Sequence, residues 1–242
     1  MYKRQPNKAI ETAESYTSYK NKNGQIYCDL NAVSTMTAKK LKLILDEKKI
    51  EYVDGAIMGG PPTENYSPRI YLSGKLSEKL KFLNGKGMEL MILKGSDFKA
   101  SATKMVYASI TKGSKALVAG ALITAKKNDV YDELMDELKY SEEYFSMVAK
   151  NQLPSVKHKA YRWIGEMNEI SLTFKESGLT GGFHSEAEKV YELIKNFMQI
   201  SVFPHPLAIC AGGTSAPYAF WLLCVQKGNS APQGPSSVSY TH

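Results

Sequence analysis

Cysteine is scarce in this chain, and what there is can neither staple nor chelate. Three residues, Cys28, Cys210 and Cys224, are too few and too widely spaced for a disulfide framework or a metal cluster. Cys28 lies in a strand-like run and reads as a buried free thiol, which implies a reducing, cytoplasmic compartment. An apolar signal core is also missing. The opening MYKRQPNKAIETAESYTSYKNKNG is polar throughout, so secretion is unsupported. Sustained runs of Leu, Ile and Val are absent as well. The uncharged stretch Pro206 to Gln226 has the length of a bilayer span, yet paired glycines and an internal proline interrupt it. An atypical end therefore outweighs a membrane anchor, and Lys227 to His242, rich in Ser, Pro and Gly, reads as disordered. Acidic residues fall short of basic ones, 24 against 31, for a net charge of +7 and a pI near 9.1. The lysines are scattered, with pairs at Lys39-Lys40, Lys48-Lys49 and Lys126-Lys127. Such a balance is compatible with nucleic acid, an anionic membrane or an anionic small molecule as partner, but no run is interleaved with aromatics in a nucleic-acid motif, and a generic basic surface is the plainer reading.

What is present suits one or two globular domains, with 43% hydrophobic and 23% charged residues. A helix is expected over Asn7 to Tyr19, then a turn at Asn23-Gly24. Gln25 to Leu30 reads as a strand emptying into a loop at Asn31. Ser34, Thr35 or Thr37 can cap the next helix, whose inner face is Ala38, Leu41, Ile44 and Leu45. Tyr52 to Met58 is a second apolar strand, and a strand, helix and strand of this length predict parallel pairing in an α/β layer. Gly59-Gly60-Pro61-Pro62 ends that unit, two glycines allowing positive φ or close approach to a ligand and two prolines stiffening the exit. Arg69 to Gly74 and Met88 to Leu93 read as further strands, with a short helix from Leu76 to Leu83.

The segment Gly95 to Asp129 reads as one long helix joining two unlike halves. Lys104, Ala108, Thr111, Lys112 and Lys115 share one polar strip at 100° per residue, and Val106, Ile110, Leu117 and Ala121 lie opposite. Beyond Ala116 the helix is apolar nearly all round and should be buried. From Asp129 to Ile200 only helices are expected. Ser141 ahead of Glu142-Glu143 is a candidate cap. His158 to Ser177 carries a one-sided apolar pattern closed by Gly178, with Arg162 and Glu166 one turn apart as an ion pair. Ser185-Glu186-Ala187-Glu188 matches a capping box ahead of a helix through Tyr191 and Ile194.

Together, YCDLNAVST, YVDGAIMGGPP, PRIYLSG, KMVYASITKG and HKAYRWIGEMNEISLTFKESGL resemble the β-hydroxyacid dehydrogenase superfamily, over roughly residues 25 to 200. The nearest branch is the phosphogluconate-dehydrogenase-like, NAD-binding proteins with an all-helical C-terminal domain. The resemblance implies an α/β plus all-α architecture. A partial Rossmann-like parallel sheet layer over 1–95 is followed by a long interdomain helix and a helical domain, like that of 6-phosphogluconate dehydrogenase, over 96–203, and 204–242 is an atypical tail. It implies NAD or NADP as cofactor, a homodimer, and hydride transfer from a small anionic hydroxy acid.

Carried onto this sequence, the superfamily's lysine at the start of the long helix is Lys104, the acid/base group for the substrate hydroxyl. Its substrate loop falls on Met58, Gly59 and Gly60, where backbone N–H groups would hold a carboxylate. Lys112 is a second basic group for the substrate site, and Asn31 falls where the loop approaches the nicotinamide. The departures are also informative. The glycine-spaced lead-in to the lysine is here Gly95, Phe98, Ala100 and Lys104. The asparagine one turn later is Ala108, and the loop serine is Met58. These changes leave a 3-hydroxyisobutyrate-type substrate without its usual contacts. No G-x-G-x-x-G, which would let a helix N-terminus meet a pyrophosphate, occurs anywhere. That absence is expected of a member that has lost the first half of its nucleotide-binding domain. Two functions follow: an NAD(P)-dependent oxidoreductase, or a non-catalytic remnant serving as a helical dimerisation module.

Overall fold

The computed structural model describes residues 6, 8–18, 24–196 and 223–225. Two compact units divide within the long helix, one holding the described residues up to Met105 with the strand near the C-terminus, the other those from Val106 onward.

In the first unit, α1 (Lys8–Thr17) precedes β1 (Ile26–Asp29), α2 (Thr35–Asp46) and β2 (Glu51–Met58). Of the three candidate caps for α2 it is Ser34 that serves, its hydroxyl accepting the Thr37 N–H. β3 (Arg69–Ser73), a 3₁₀ turn at Ser77–Leu83 and β4 (Glu89–Leu93) follow, and a short strand β5 (Leu223–Val225) joins the opposite edge. The sheet order is β4-β3-β2-β1-β5. β1 pairs parallel with β2 and β3 with β4, each after an intervening helical segment. Between β2 and β3 the chain has only the Gly59-Gly60-Pro61-Pro62 loop and a Thr63–Tyr66 bridge, so it folds back and the pair is antiparallel. β5 is antiparallel to β1.

Alternation along the strands fills both faces. Tyr27 and Tyr52 pack with Ala9 and Ala13 of α1 and Ala38, Leu41 and Leu45 of α2. Ile26, Cys28, Val53, Ile70 and Leu72 pack on the other side with Leu80 and Met88. Cys28 is the buried free thiol expected. Leu41 and Leu45 are fully covered, and truncating either to alanine should cost about 2–5 kcal/mol.

The long helix α3 runs Lys99–Lys127, and its facing differs from the expected one. Ala108, from the polar strip, is 1% exposed, whereas Val106, Ile110 and Leu117 are 52%, 68% and 57% exposed. The buried side carries Met105, Ala108, Ala116, Val118, Ala119, Leu122 and Ala125, most of them small.

The remaining helices are α4 (Tyr131–Ser141), α5 (Glu143–Met147), α6 (Ala160–Glu176) and α7 (Gly182–Asn196). Ser141 does not cap α5. It is the last residue of α4, and its hydroxyl donates back to the Glu137 carbonyl. The capping box is likewise misplaced. α7 begins three residues earlier, the Gly182 N–H is taken by the Thr180 hydroxyl, and Ser185 donates to the Gly182 carbonyl inside the helix. α6 buries Ala160, Trp163, Met167 and Ile170 as its spacing predicts. It ends in a Schellman turn: Gly178, at φ +78°, and Leu179 donate to the Lys175 and Phe174 carbonyls at 3.0 Å each. The turn brings α7 back along α6, stacking Tyr191 edge-on against Trp163 and His184 against Phe174. Among the described residues no helix is long and apolar enough to cross a membrane, and no group of His, Cys, Asp and Glu could hold a metal. The candidate membrane anchor and the tail lie outside the described residues, apart from Leu223–Val225.

Candidate active site

β2 carries an acid in the middle of an apolar strand. Asp54 is 1% exposed, and a buried carboxylate without partners would cost several kcal/mol. Its oxygens are fully engaged. Oδ2 accepts from the Ser73 hydroxyl at 2.8 Å and the Ser101 N–H at 2.9 Å, and Oδ1 accepts from the Ser101 hydroxyl at 2.5 Å. Ser73 Oγ also accepts the Ala100 N–H at 3.0 Å. Two orphan donors of the first turn of α3 are thereby satisfied, with negative charge at the end of the helix that favours it. Burial pushes the Asp54 acid up, and the bonds from Ser101 and Ser73 pull it back.

One turn further along α3, the Lys104 ammonium donates to the Ile57 carbonyl at 2.8 Å. Asp54 and Ile57 on the strand thus meet Ser101 and Lys104 on the helix as two rungs of one ladder. Beyond Ile57 come Met58, which ends β2, and the glycine pair. Gly59 sits at φ +114°, and a Cβ there would lie 1.9 Å from the Tyr66 hydroxyl. Gly60 has open space around it, with nothing within 4 Å of a built Cβ. Lys104, Met58, Gly59 and Gly60 are therefore brought to one place.

Asn31 leaves the neighbouring strand end on the same edge of the sheet, because β1 and β2 run parallel with Asp29 paired to Asp54. Its carboxamide donates to Asp29 Oδ1 at 2.5 Å. Asp29 is 2% exposed, and its Oδ2 has no hydrogen-bond partner among the described residues. Burial pushes its carboxyl up to about 7, the bonds from Asn31 oppose that, and Asp54 adds to it.

Lys112 is engaged within the helical unit. Its ammonium pairs with Glu166, and its carbonyl accepts from the Tyr191 hydroxyl. Glu166 is 6% exposed, so the expected surface pair with Arg162 gives way to a buried bond reaching α3. Sequence reading missed Asp54, Ser73, Ser101 and Tyr66. One signal was available, a lone acid inside the apolar run YVDGAIM, since an acid so placed must have partners.

Residues 125–194 match the family described as Domain of unknown function (DUF1932). An uncharacterized 28.5 kDa protein in the 7S RNA 5' region of Methanothermus fervidus is 31% identical over 137 residues, which is 57% of this chain and 51% of that protein. A conserved hypothetical protein from Sinorhizobium meliloti 1021 superposes with a TM-score of 0.63 at 23% identity, covering 82% of this chain and 68% of that one. The conserved protein MTH1747, itself described as structurally similar to 3-hydroxyacid dehydrogenases, superposes at 0.58 with 26% identity, covering 79% of this chain and 72% of its own. The fold of the chain is thus similar to that of a protein which itself resembles 3-hydroxyacid dehydrogenases in structure. The chain spans about half the length of the curated relative it matches. KMVYASITKG lies in the first half of α3, and YVDGAIMGGPP spans β2 and the loop after it, where the Ile57 carbonyl accepts from Lys104.

Proposed function

We propose that the chain is an NAD(P)-dependent oxidoreductase acting on a small anionic hydroxy acid, with Lys104 as the acid/base group. The contact between the Lys104 ammonium and the Ile57 carbonyl, a few residues before the open backbone of Gly60, is the observation that carries this reading. The neutral amine takes the proton of the substrate hydroxyl, and in the reverse direction the ammonium returns it. The backbone of Gly59 and Gly60 holds the substrate carboxylate. Asn31, fixed by Asp29, offers its carboxamide at the carboxyl end of β1, where cofactors of parallel sheets lie. These residues fit the nicotinamide end of a dinucleotide, which when bound would accept the hydride. The described residues include no glycine-rich turn for the pyrophosphate.

Titration of NADH and NADPH fluorescence tests the reading, with micromolar affinity expected and absence of binding at millimolar cofactor against it. Lys104→Ala should then lower turnover by roughly 10²–10⁴-fold with the fold intact. An unchanged rate would remove Lys104 from the chemistry.

A second reading, a dimerisation module, is favoured by the exposed row Val106, Ile110 and Leu117 on α3. Tyr107, 52% exposed, lies beside it on the same helix, and a contiguous exposed apolar row of this kind marks an interaction surface. A second copy of the chain is the proposed occupant. Sedimentation equilibrium should show a dimer that Ile110→Asp with Leu117→Asp converts to monomer; a wild-type monomer at high micromolar concentration would refute it.

A further inference from the structure

The helical unit gathers positive charge around one indole. Lys112 and Lys115, on α3, hold their ammonium groups 5.6 Å and 5.8 Å from the centre of the Trp163 ring. Lys159 stands at the N-cap of α6, one turn before Trp163, its ammonium donating to the Ser155 hydroxyl at 3.3 Å and its charge opposing that of Lys115. Trp163 is 8% exposed and the Lys112 side chain 15%, so this is an apolar floor and not a solvated face. The floor is rigid: Tyr191 stacks edge-on against Trp163 and anchors its hydroxyl on the Lys112 carbonyl.

Of the three ammonium groups, Lys112 pairs with the Glu166 carboxylate and Lys159 donates to the Ser155 hydroxyl. Lys115 is left half-buried beside two like charges, compensated by a cation–π contact of about 0.5–1 kcal/mol. Burial first, then Lys112 and Lys159, depress its ammonium below the usual lysine range. Lysines on flexible stems separate when nothing holds them together, because surface repulsion is relieved at little cost in water. Here the helix positions and the indole hold them.

We propose that Lys115 and Lys159, on the floor made by Trp163 and the Lys112–Glu166 pair, form a binding site for a phosphoryl group. Two ammonium groups beyond the Lys112–Glu166 pair suit a dianion. Ammonium groups suit phosphate as point charges, giving short charge-assisted hydrogen bonds. Inorganic phosphate and a phosphomonoester share this chemistry. The site is independent of the Lys104 chemistry, so it stands or falls without it.

The test is a titration of the full chain by two-dimensional NMR at constant ionic strength, following the Trp163 indole N–H resonance, assigned with Trp163→Phe. Inorganic phosphate and glycerol 3-phosphate are the two probes, with chloride as control. A saturable shift is expected, weakened at least tenfold by Lys115→Gln and by Lys159→Gln and kept by Lys115→Arg. Saturation by glycerol 3-phosphate alone, with the same lysine dependence, would also support the site and identify its ligand as an organic phosphate. No shift from either probe up to about 10 mM, a concentration that would reveal even millimolar affinity, would overturn the proposal. A shift undiminished in Lys115→Gln would overturn it too.

Discussion

Asp29→Asn separates the cost of a buried carboxyl from the bonds that hold it. In the folded chain Asp29 is covered, one oxygen accepts from Asn31, and the acid is pushed up to about 7 from an ordinary value near 3.8. The folded protein thus holds this proton more tightly than the unfolded one. The resulting stability is fully present below about pH 4, declines as the pH rises, and is gone above about pH 7. Each pH unit between the two values is worth 1.36 kcal/mol, so the full span amounts to roughly 4 kcal/mol. Asparagine has the same shape, is neutral at every pH, and keeps an oxygen to accept from Asn31. Urea denaturation followed by circular dichroism at pH 4, 5, 6, 7 and 8 gives the difference between variant and wild type directly, conditions chosen to bracket the titration. The difference should lie near zero at pH 4 and grow to a few kcal/mol in the variant's favour by pH 8. A flat difference, or a variant less stable at pH 8, would refute the assignment of a protonated Asp29 at acid pH.

Two further substitutions probe the ladder and the loop. Asp54→Ala leaves the Ser73 and Ser101 donors without their acceptor and should cost about 3–5 kcal/mol in urea unfolding, while Asp54→Asn, still able to accept the Ser101 N–H, should cost about half as much; a loss in Asp54→Ala no larger than that of an exposed substitution would deny the carboxylate its role. Gly59→Ala combines a positive φ with a collision against the Tyr66 hydroxyl. Alone it should lower stability by about 1–3 kcal/mol, and Tyr66→Phe should restore part of that loss; an unstrained Gly59→Ala would show that the loop does not need glycine.

The layer order and the start of α3 were legible because they are written in contiguous residues. An apolar strand, a cap at Ser34 and a glycine loop leave local marks, and the Lys104 motif carries a family resemblance. The partners of Asp54 were not legible, since Ser73 and Ser101 come from separate segments and only folding assembles them. The facing of α3 misled for a different reason. Hydrophobic periodicity assigns large apolar residues to the inside, whereas this helix packs by its alanines and turns Ile110 outward. Ser141 and Ser185 have the composition of caps, but both hydroxyls bond backward into their own helices.

The backward fold at Gly59-Gly60-Pro61-Pro62 governs where the lysine can go. Because β3 and its parallel neighbour β4 travel against β2, the chain leaves the sheet at the edge where β2 begins, and α3 must climb in the direction of β2. The climb delivers Ser101 to Asp54 first and Lys104 to Ile57 a turn later. Had β3 run alongside β2, the helix would have started beside the glycines and carried its amine away from them. Lengthening the loop should be harmless, whereas converting the hairpin into a crossover would strand Lys104 at the wrong rim.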